Sequence, residues 1–213
     1  MIVSMWMTKK VARIEPQTPL SEVATLMANM KIRHLPVIGK SPAGLPAVVG
    51  IVSQSDLLHA YPPNVNPFAN PGFTSSLIAA DIMSRNLHTT TPEAPIEEAA
   101  ELMRQHKIGA LPVIHNGELT GLITEYDIFR AFADLFEKIP GSARITFDIS
   151  RGDDVFALLA QIAQRRQVQV HSLTTMHRDN QPICVARITG KGVEQMLEDI
   201  WKTGHPVLSV VRQ

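Results

Sequence analysis

The chain has 213 residues, 45% of them hydrophobic, enough apolar material for one large or two modest packed cores. Its 20 basic and 20 acidic side chains cancel, at 11 against 13 up to Pro140 and 9 against 7 beyond it, so neither part has the basic surplus that nucleic-acid binding requires. No apolar run approaches the roughly 20 residues of a bilayer span, and Met1-Ile2-Val3 lacks the basic-then-apolar order of an export signal. No membrane association and a cytoplasmic location are therefore expected.

An extended lead-in ends at Pro16, after which Val23, Leu26, Met27 and Met30 recur at helical spacing. Thr18 before Pro19 reads as an N-cap followed by proline at the first helical position, where the missing N–H costs nothing. A short apolar strand at 35–38, a turn, a second strand at 47–52 and a helix from Gln54 complete a β-α-β-β-α unit. Residues 61–72 then hold Pro62, Pro63, Pro67, Pro71 and three asparagines, a loop composition without helical or strand period.

The unit then recurs. At a shift of 76 residues, 16–38 falls on 92–114 with 12 of 23 positions identical, including Pro19/Pro95, Lys31/Lys107 and Leu-Pro-Val-Ile in both. At a shift of 71 the match resumes: Gly50-Ile51-Val52-Ser53 and Asp56 face Gly121-Leu122-Ile123-Thr124 and Asp127. The second copy has Ala94 as the cap before Pro95, strands at 111–114 and 119–123, and a helix from Glu125 or Tyr126 to Lys138. One unit present twice is expected to pack on its twin about a pseudo-twofold axis and to duplicate any cleft between them.

From Ser142 the pattern changes: Ile145, Phe147 and Ile149 alternate as a strand does, and Val155, Leu158, Leu159 and Ile162 follow at helical spacing. Strands at 168–173 and 182–188 flank a turn at Arg178-Asp179-Asn180-Gln181, a helix presents Val193, Met196, Leu197 and Ile200 and stops near Gly204, and 206–211 closes the chain. This β-α-β-β-α-β order matches a ferredoxin-like plan, a sheet covered by two helices on one face. The fold class is thus α+β, with domains at 1–62, 80–138 and 142–213 and a linker at 63–79.

The stretch Gly50 to Asp56, echoed by Gly121 to Asp127, places a hydroxyl and a carboxylate at one helix start. Ser or Thr three residues before an acid is a capping box, in which each side chain satisfies an exposed backbone N–H. A helix start also offers a place for phosphate, and a carboxylate can accept hydrogen bonds from a ribose diol. Arg33-His34 precedes the first Leu-Pro-Val and Gly109-Ala110 the second, so the clefts should differ in charge. Cys184 lies in an apolar strand-like run where it packs, and His106 takes the place of Met30 on an apolar helix face, as a core histidine does.

On these motifs the duplicated part resembles a pair of CBS domains. The resemblance implies adenosine-nucleotide sites in which Ser53 and Thr124 meet phosphate and Asp56 and Asp127 the ribose hydroxyls. It also implies basic contacts from Arg33 and His34, a weaker one from Arg85, and an apolar adenine wall from Leu-Pro-Val, here Pro36 and Pro112, and from the lead-ins after Met7-Thr8 and Met83-Ser84. The expected ligand is AMP, ADP or ATP, with NAD or S-adenosylmethionine as alternatives and Mg²⁺ as a companion of phosphate.

The tail resembles an ACT domain through its strand order and Gly152 in the loop 148–153, where such modules contact amino acids. Asp153 in that loop equally reads as an N-cap. CBS pair and tail together resemble bacterial acetoin-utilisation accessory proteins, and both modules imply a homodimer and a target protein that the sequence does not name.

The eight histidines show no H-E-x-x-H or comparable ligand spacing, and the chain has no G-x-x-x-x-G-K-[ST], G-x-S-x-G or G-x-G-x-x-G. The expectation is a non-catalytic sensor without a required cofactor or metal. The alternative expectation is an amino-acid-responsive regulatory subunit that senses through the tail, with the CBS pair as a dimerising scaffold.

Overall fold

The structure, a computed structural model, describes residues 1–41, 44–69, 76–135, 139–152 and 154–212, with the side chain of Arg178 left out. The chain forms two compact units, Met1–Leu135 and Phe136–Gln213.

In the first unit the repeat is visible element by element. Copy one holds α1 (Leu20–Met30), β1 (His34–Lys40), β2 (Pro46–Ser53) and α2 (Gln54–Ala60). After the four-residue α3 (Ala79–Ile82), copy two holds α4 (Ile96–His106), β3 (Ala110–His115), β4 (Glu118–Thr124) and α5 (Glu125–Leu135). The strands pair antiparallel within each copy, and both hairpins slip register at the same point, between Val37 and Ile38 and between Val113 and Ile114. Residues 136–138, where the last helix was expected to continue, lie outside the described residues.

Two helix starts differ from the sequence reading. Pro19 and Pro95 are themselves the N-caps, in extended conformation and without a side-chain cap bond. The Thr18 hydroxyl, one residue before the cap, instead accepts from the Glu15 N–H at 3.0 Å. The helices end in left-handed caps at Lys31 and Lys107, with φ of 54° and 52°.

The lead-ins are exchanged between copies, a feature the repeat alone does not reveal. Thr8 exchanges two backbone hydrogen bonds with Leu122 of β4, at 2.9 and 3.0 Å, and Ser84 does the same with Ile51 of β2, at 2.9 and 3.1 Å. The first N–H of each main helix is likewise accepted across the pseudo-twofold, Leu20 by Leu77 and Ile96 by Met1. Val3 is fully buried in the core of copy two with Ile96, Leu111 and Ile123, and Ala79 is fully buried in the core of copy one with Leu20, Leu35 and Val52. Each lead-in then returns to its own hairpin through a parallel bridge, Ile14 to Val37 and Thr90 to Val113. The two copies are therefore interlocked by backbone and by core, and neither can bury its apolar face alone.

The second unit runs β5 (Ser142–Asp148), α6 (Val155–Arg166), β6 (Gln169–Arg178), β7 (Gln181–Thr189), α7 (Val193–Lys202) and β8 (Val207–Arg212). Its strands form one antiparallel sheet in the order β6-β7-β5-β8. Phe147, Leu159, Ile188, Met196 and Ile200 pack between sheet and helices. Asp179 and Asn180, both at positive φ, make the two-residue turn that matches the twist of a hairpin. The preceding strand extends past its expected end at Leu173 to Arg178, because Thr174 to His177 pair along β7 although their types do not alternate. Asp153 lies outside the described residues; the N-cap of α6 is its neighbour Asp154, which accepts from Ala157 N–H at 3.0 Å.

Candidate functional site

Exchange of the lead-ins creates two clefts of similar size, about 570 and 610 Å³, both inside the first unit. Ser53 and Asp56 at the start of α2 face the lead-in residues Ser84, Asn86, Leu87 and His88 across the first cleft. The second sets Thr124 and Asp127 at the start of α5 against Thr8, Lys10, Val11 and Ala12. Equivalent positions recur in their walls: Ile51/Leu122, Lys107/Lys31 and Ile108/Ile32.

At both helix starts the capping box forms. The Asp56 Oδ2 accepts from the Ser53 N–H and from the Ser53 hydroxyl, each at 2.7 Å, and the Asp56 N–H donates back to that hydroxyl at 3.2 Å. In copy two the Asp127 Oδ2 accepts from the Thr124 N–H at 3.0 Å and from its hydroxyl at 2.7 Å. The box occupies one carboxylate oxygen in each copy and fixes the side-chain rotamer, so the second oxygen is held at the cleft rather than left to swing. Among the described residues Oδ1 of Asp56 has no hydrogen-bond partner, whereas Oδ1 of Asp127 lies 3.5 Å from the Arg130 guanidinium. Asp127 is buried, at 6% exposure, while Asp56 is half-buried. Arg130 is held in turn by the Trp6 carbonyl at 3.1 Å and by the Trp6 ring, whose centroid is 5.6 Å away.

Arg33 and His34 lie between the clefts and line both. The charge difference expected from these two residues therefore does not arise from them. Burial, reinforced by the neighbouring Arg33 charge and opposed by Asp56, holds the His34 imidazole below its ordinary pKa. Pro112 lines the first cleft, but Pro36 lines neither; it is buried in β1, opposite Ile51. Arg85 also falls outside both walls, because its guanidinium folds back onto the Ala80 carbonyl at 2.7 Å, and Asn86 occupies the wall instead. His106 is exposed rather than core, with its ring stacked on His88 at 3.6 Å between centroids.

Lys10, Lys31, Lys107, Glu125 and Arg130 were not singled out in the sequence, although Lys31 and Lys107 were among the identities of the repeat. For Lys31 and Lys107 the signal was a lysine kept at the end of the first helix in both copies, which the structure shows to be a left-handed cap; Lys10, Glu125 and Arg130 carried no such signal. Among the described residues no group of three or more His, Cys, Asp or Glu could hold a metal ion, and no helix is long and apolar enough to cross a membrane.

Comparison with known proteins agrees with the duplicated architecture. The family model described as CBS domain matches twice, at residues 3–63 and 79–134. A Vibrio cholerae protein assigned to acetoin utilization (AcuB) is 29% identical, with a TM-score of 0.51 over 64% of this chain and 93% of that one. The CBS domain pair of protein MJ0100, solved with 5′-methylthioadenosine and S-adenosyl-L-methionine, is 24% identical and shares the fold, with a TM-score of 0.50 over 63% of this chain and 97% of that one. CBSX2, solved with AMP, likewise shares the fold at 24% identity and a TM-score of 0.50, over 64% of this chain and 98% of that one. Among curated relatives, inosine-5′-monophosphate dehydrogenase of Thermoplasma acidophilum is 28% identical over 82% of this chain, but the chain spans only 32% of that enzyme's length. With both halves of its first unit matched, in sequence pattern and in fold, the chain belongs to the CBS-domain family and carries the domain in tandem.

Proposed function

We propose that the protein is a non-catalytic sensor whose two clefts bind adenosine compounds through their ribose hydroxyls. The observation that carries this reading is the placement of Asp56 and Asp127, each locked by a hydroxyl neighbour and each lining a cleft wide enough for a nucleoside. A carboxylate oxygen fixed at the cleft can accept a hydrogen bond from a ribose hydroxyl, and Ile51, Leu87, Ile108 and Pro112 supply an apolar bed for a base. Leu122, Val11 and Ile32 do the same in the second cleft. The reading covers AMP, ADP and ATP, with NAD and S-adenosylmethionine as alternatives, and Mg²⁺ where phosphates need a counter-ion.

Occupancy acts through differential affinity for two arrangements of the interlocked copies, and is passed to the second unit or to a partner protein. We read the second unit as an ACT-type module and the assembly as a homodimer. The dimer is supported by two exposed aromatic neighbours on α5, Tyr126 and Phe129, which are 64% and 72% exposed. Calorimetric titration of the full chain with AMP, ATP, NAD and S-adenosylmethionine tests the proposal: binding of at least one with micromolar affinity is expected, and absence of heat with all four contradicts it.

A further inference from the structure

The clefts differ more in charge than in size. The second presents Lys10, Lys31, Arg33 and Arg130 against the single carboxylate of Asp127. In the first, Arg33 and Lys107 are matched by Asp56 and Glu125. Two positions account for most of the contrast: the lead-in places Lys10 in one wall and Asn86 in the other, and Glu125 at the start of α5 reaches into the first cleft.

Glu125 is held there by the backbone. Its N–H donates to the Gly109 carbonyl at 3.1 Å. Its Oε2 lies 3.4 Å from the point where a Cβ on Gly109 would stand, and the His34 ring comes within 3.1 Å of the same point. The missing side chain of Gly109 thus leaves room for the His34 imidazole, and the Glu125 carboxylate lies at ordinary contact distance from the same point, in the wall of the first cleft. Because His34 is disfavoured as a cation, it does not offset the Glu125 charge at neutral pH.

A 5′-phosphate chain entering the first cleft meets this second carboxylate, and like charges in a partly enclosed groove repel. In the second cleft the same chain meets only cations beyond the ribose-binding acid. We propose that the clefts take different classes of adenosine compound: the second a 5′-phosphorylated nucleotide, the first an adenosine whose 5′ substituent carries no negative charge. This division rests on the adenosine reading above and adds which chemistry each cleft accepts.

The test is calorimetric titration of the full chain with ATP and with 5′-methylthioadenosine, separately and in sequence, with Glu125→Gln measured alongside. ATP is expected to fill one site per chain, with affinity falling about tenfold or more between 50 and 500 mM salt, while methylthioadenosine changes less than about twofold. Methylthioadenosine is expected to bind the ATP-saturated protein undiminished, and Glu125→Gln to admit a second ATP. ATP filling two equal sites in the unaltered protein, competition between the two ligands for one site, or a Glu125→Gln stoichiometry still at one each overturns the division while leaving adenosine binding intact. Silence with both ligands overturns the division; silence that extends to AMP, NAD and S-adenosylmethionine overturns the adenosine reading itself.

Discussion

The sulfur of Met83 occupies the space where a side chain on Gly50 would begin: a Cβ there would stand 2.5 Å from Sδ and 2.8 Å from Cγ. Met7 blocks the same space at Gly121. Each methionine belongs to one copy's lead-in and each glycine to the other copy's second strand, so the glycine of both Gly-x-x-hydroxyl stretches exists for close packing across the pseudo-twofold. Gly50→Ala is expected to destabilise by about 1–3 kcal/mol through overpacking. In a Met83→Ala background the same change should cost markedly less, as urea unfolding of the double-mutant cycle will show; equal costs in the two backgrounds would contradict the contact.

Val3 tests the interlocking from the other side. It is fully buried in the core of copy two, far along the chain from its neighbours Ile96 and Ile123. Val3→Ala is expected to lower stability by about 2 kcal/mol, from lost burial and the small cavity left behind. Hydrogen exchange should locate the loss in α4, β3 and β4 rather than in α1. Protection lost around α1 alone would contradict the exchanged lead-ins.

The capping boxes have a stability role that is separable from binding. Ser53→Ala and Thr124→Ala remove the hydroxyl that accepts from the N–H of Asp56 or Asp127 and donates to its carboxylate. Each is expected to cost about 0.5–2 kcal/mol in thermal or urea unfolding. Changes below about 0.3 kcal/mol would mean that solvent replaces the box without penalty.

His34 links stability to pH. Its imidazole is held below the ordinary value by burial and by Arg33, with Asp56 acting in the opposite direction, so the unfolded chain takes up this proton before the folded one does. Stability from this group is therefore complete above the unfolded value near 6.5 and falls as pH drops through it toward the lower folded value. Unfolding midpoints between pH 7.5 and 5.5 should decline less steeply in His34→Gln than in the unaltered protein. Parallel slopes would contradict the buried neutral state.

The duplication and the two hydroxyl-acid stretches were legible in the sequence because local identities such as Leu-Pro-Val-Ile report local structure. The exchange of lead-ins was not: a repeat of Met-Thr and Met-Ser gives the period but not which hairpin each segment pairs with, and that is decided by the backbone bonds of Thr8 to Leu122 and Ser84 to Ile51. Arg85 was misplaced for a related reason, since nothing in its neighbours shows that the Ala80 carbonyl is free to bind it. Glu125 entered the sequence reading only as the start of a helix, and its place in the wall of the opposite cleft comes from the packing of the two copies. The second unit followed its apolar alternation closely, except where the polar Thr174-Thr175 stretch pairs along β7.

The central claim is that Asp56 and Asp127 hold ribose hydroxyls, and the most direct measurement compares AMP with 2′-deoxy-AMP on the unaltered chain and on Asp56→Ala with Asp127→Ala. Loss of a hydrogen bond to a charged acceptor corresponds to roughly 10-fold to 100-fold in affinity. The unaltered chain should discriminate against the deoxynucleotide by about that factor, and the doubly substituted chain should bind both equally weakly. Equal affinity of the unaltered chain for the two nucleotides, or unchanged AMP affinity after both substitutions, would show these acids to be helix caps alone.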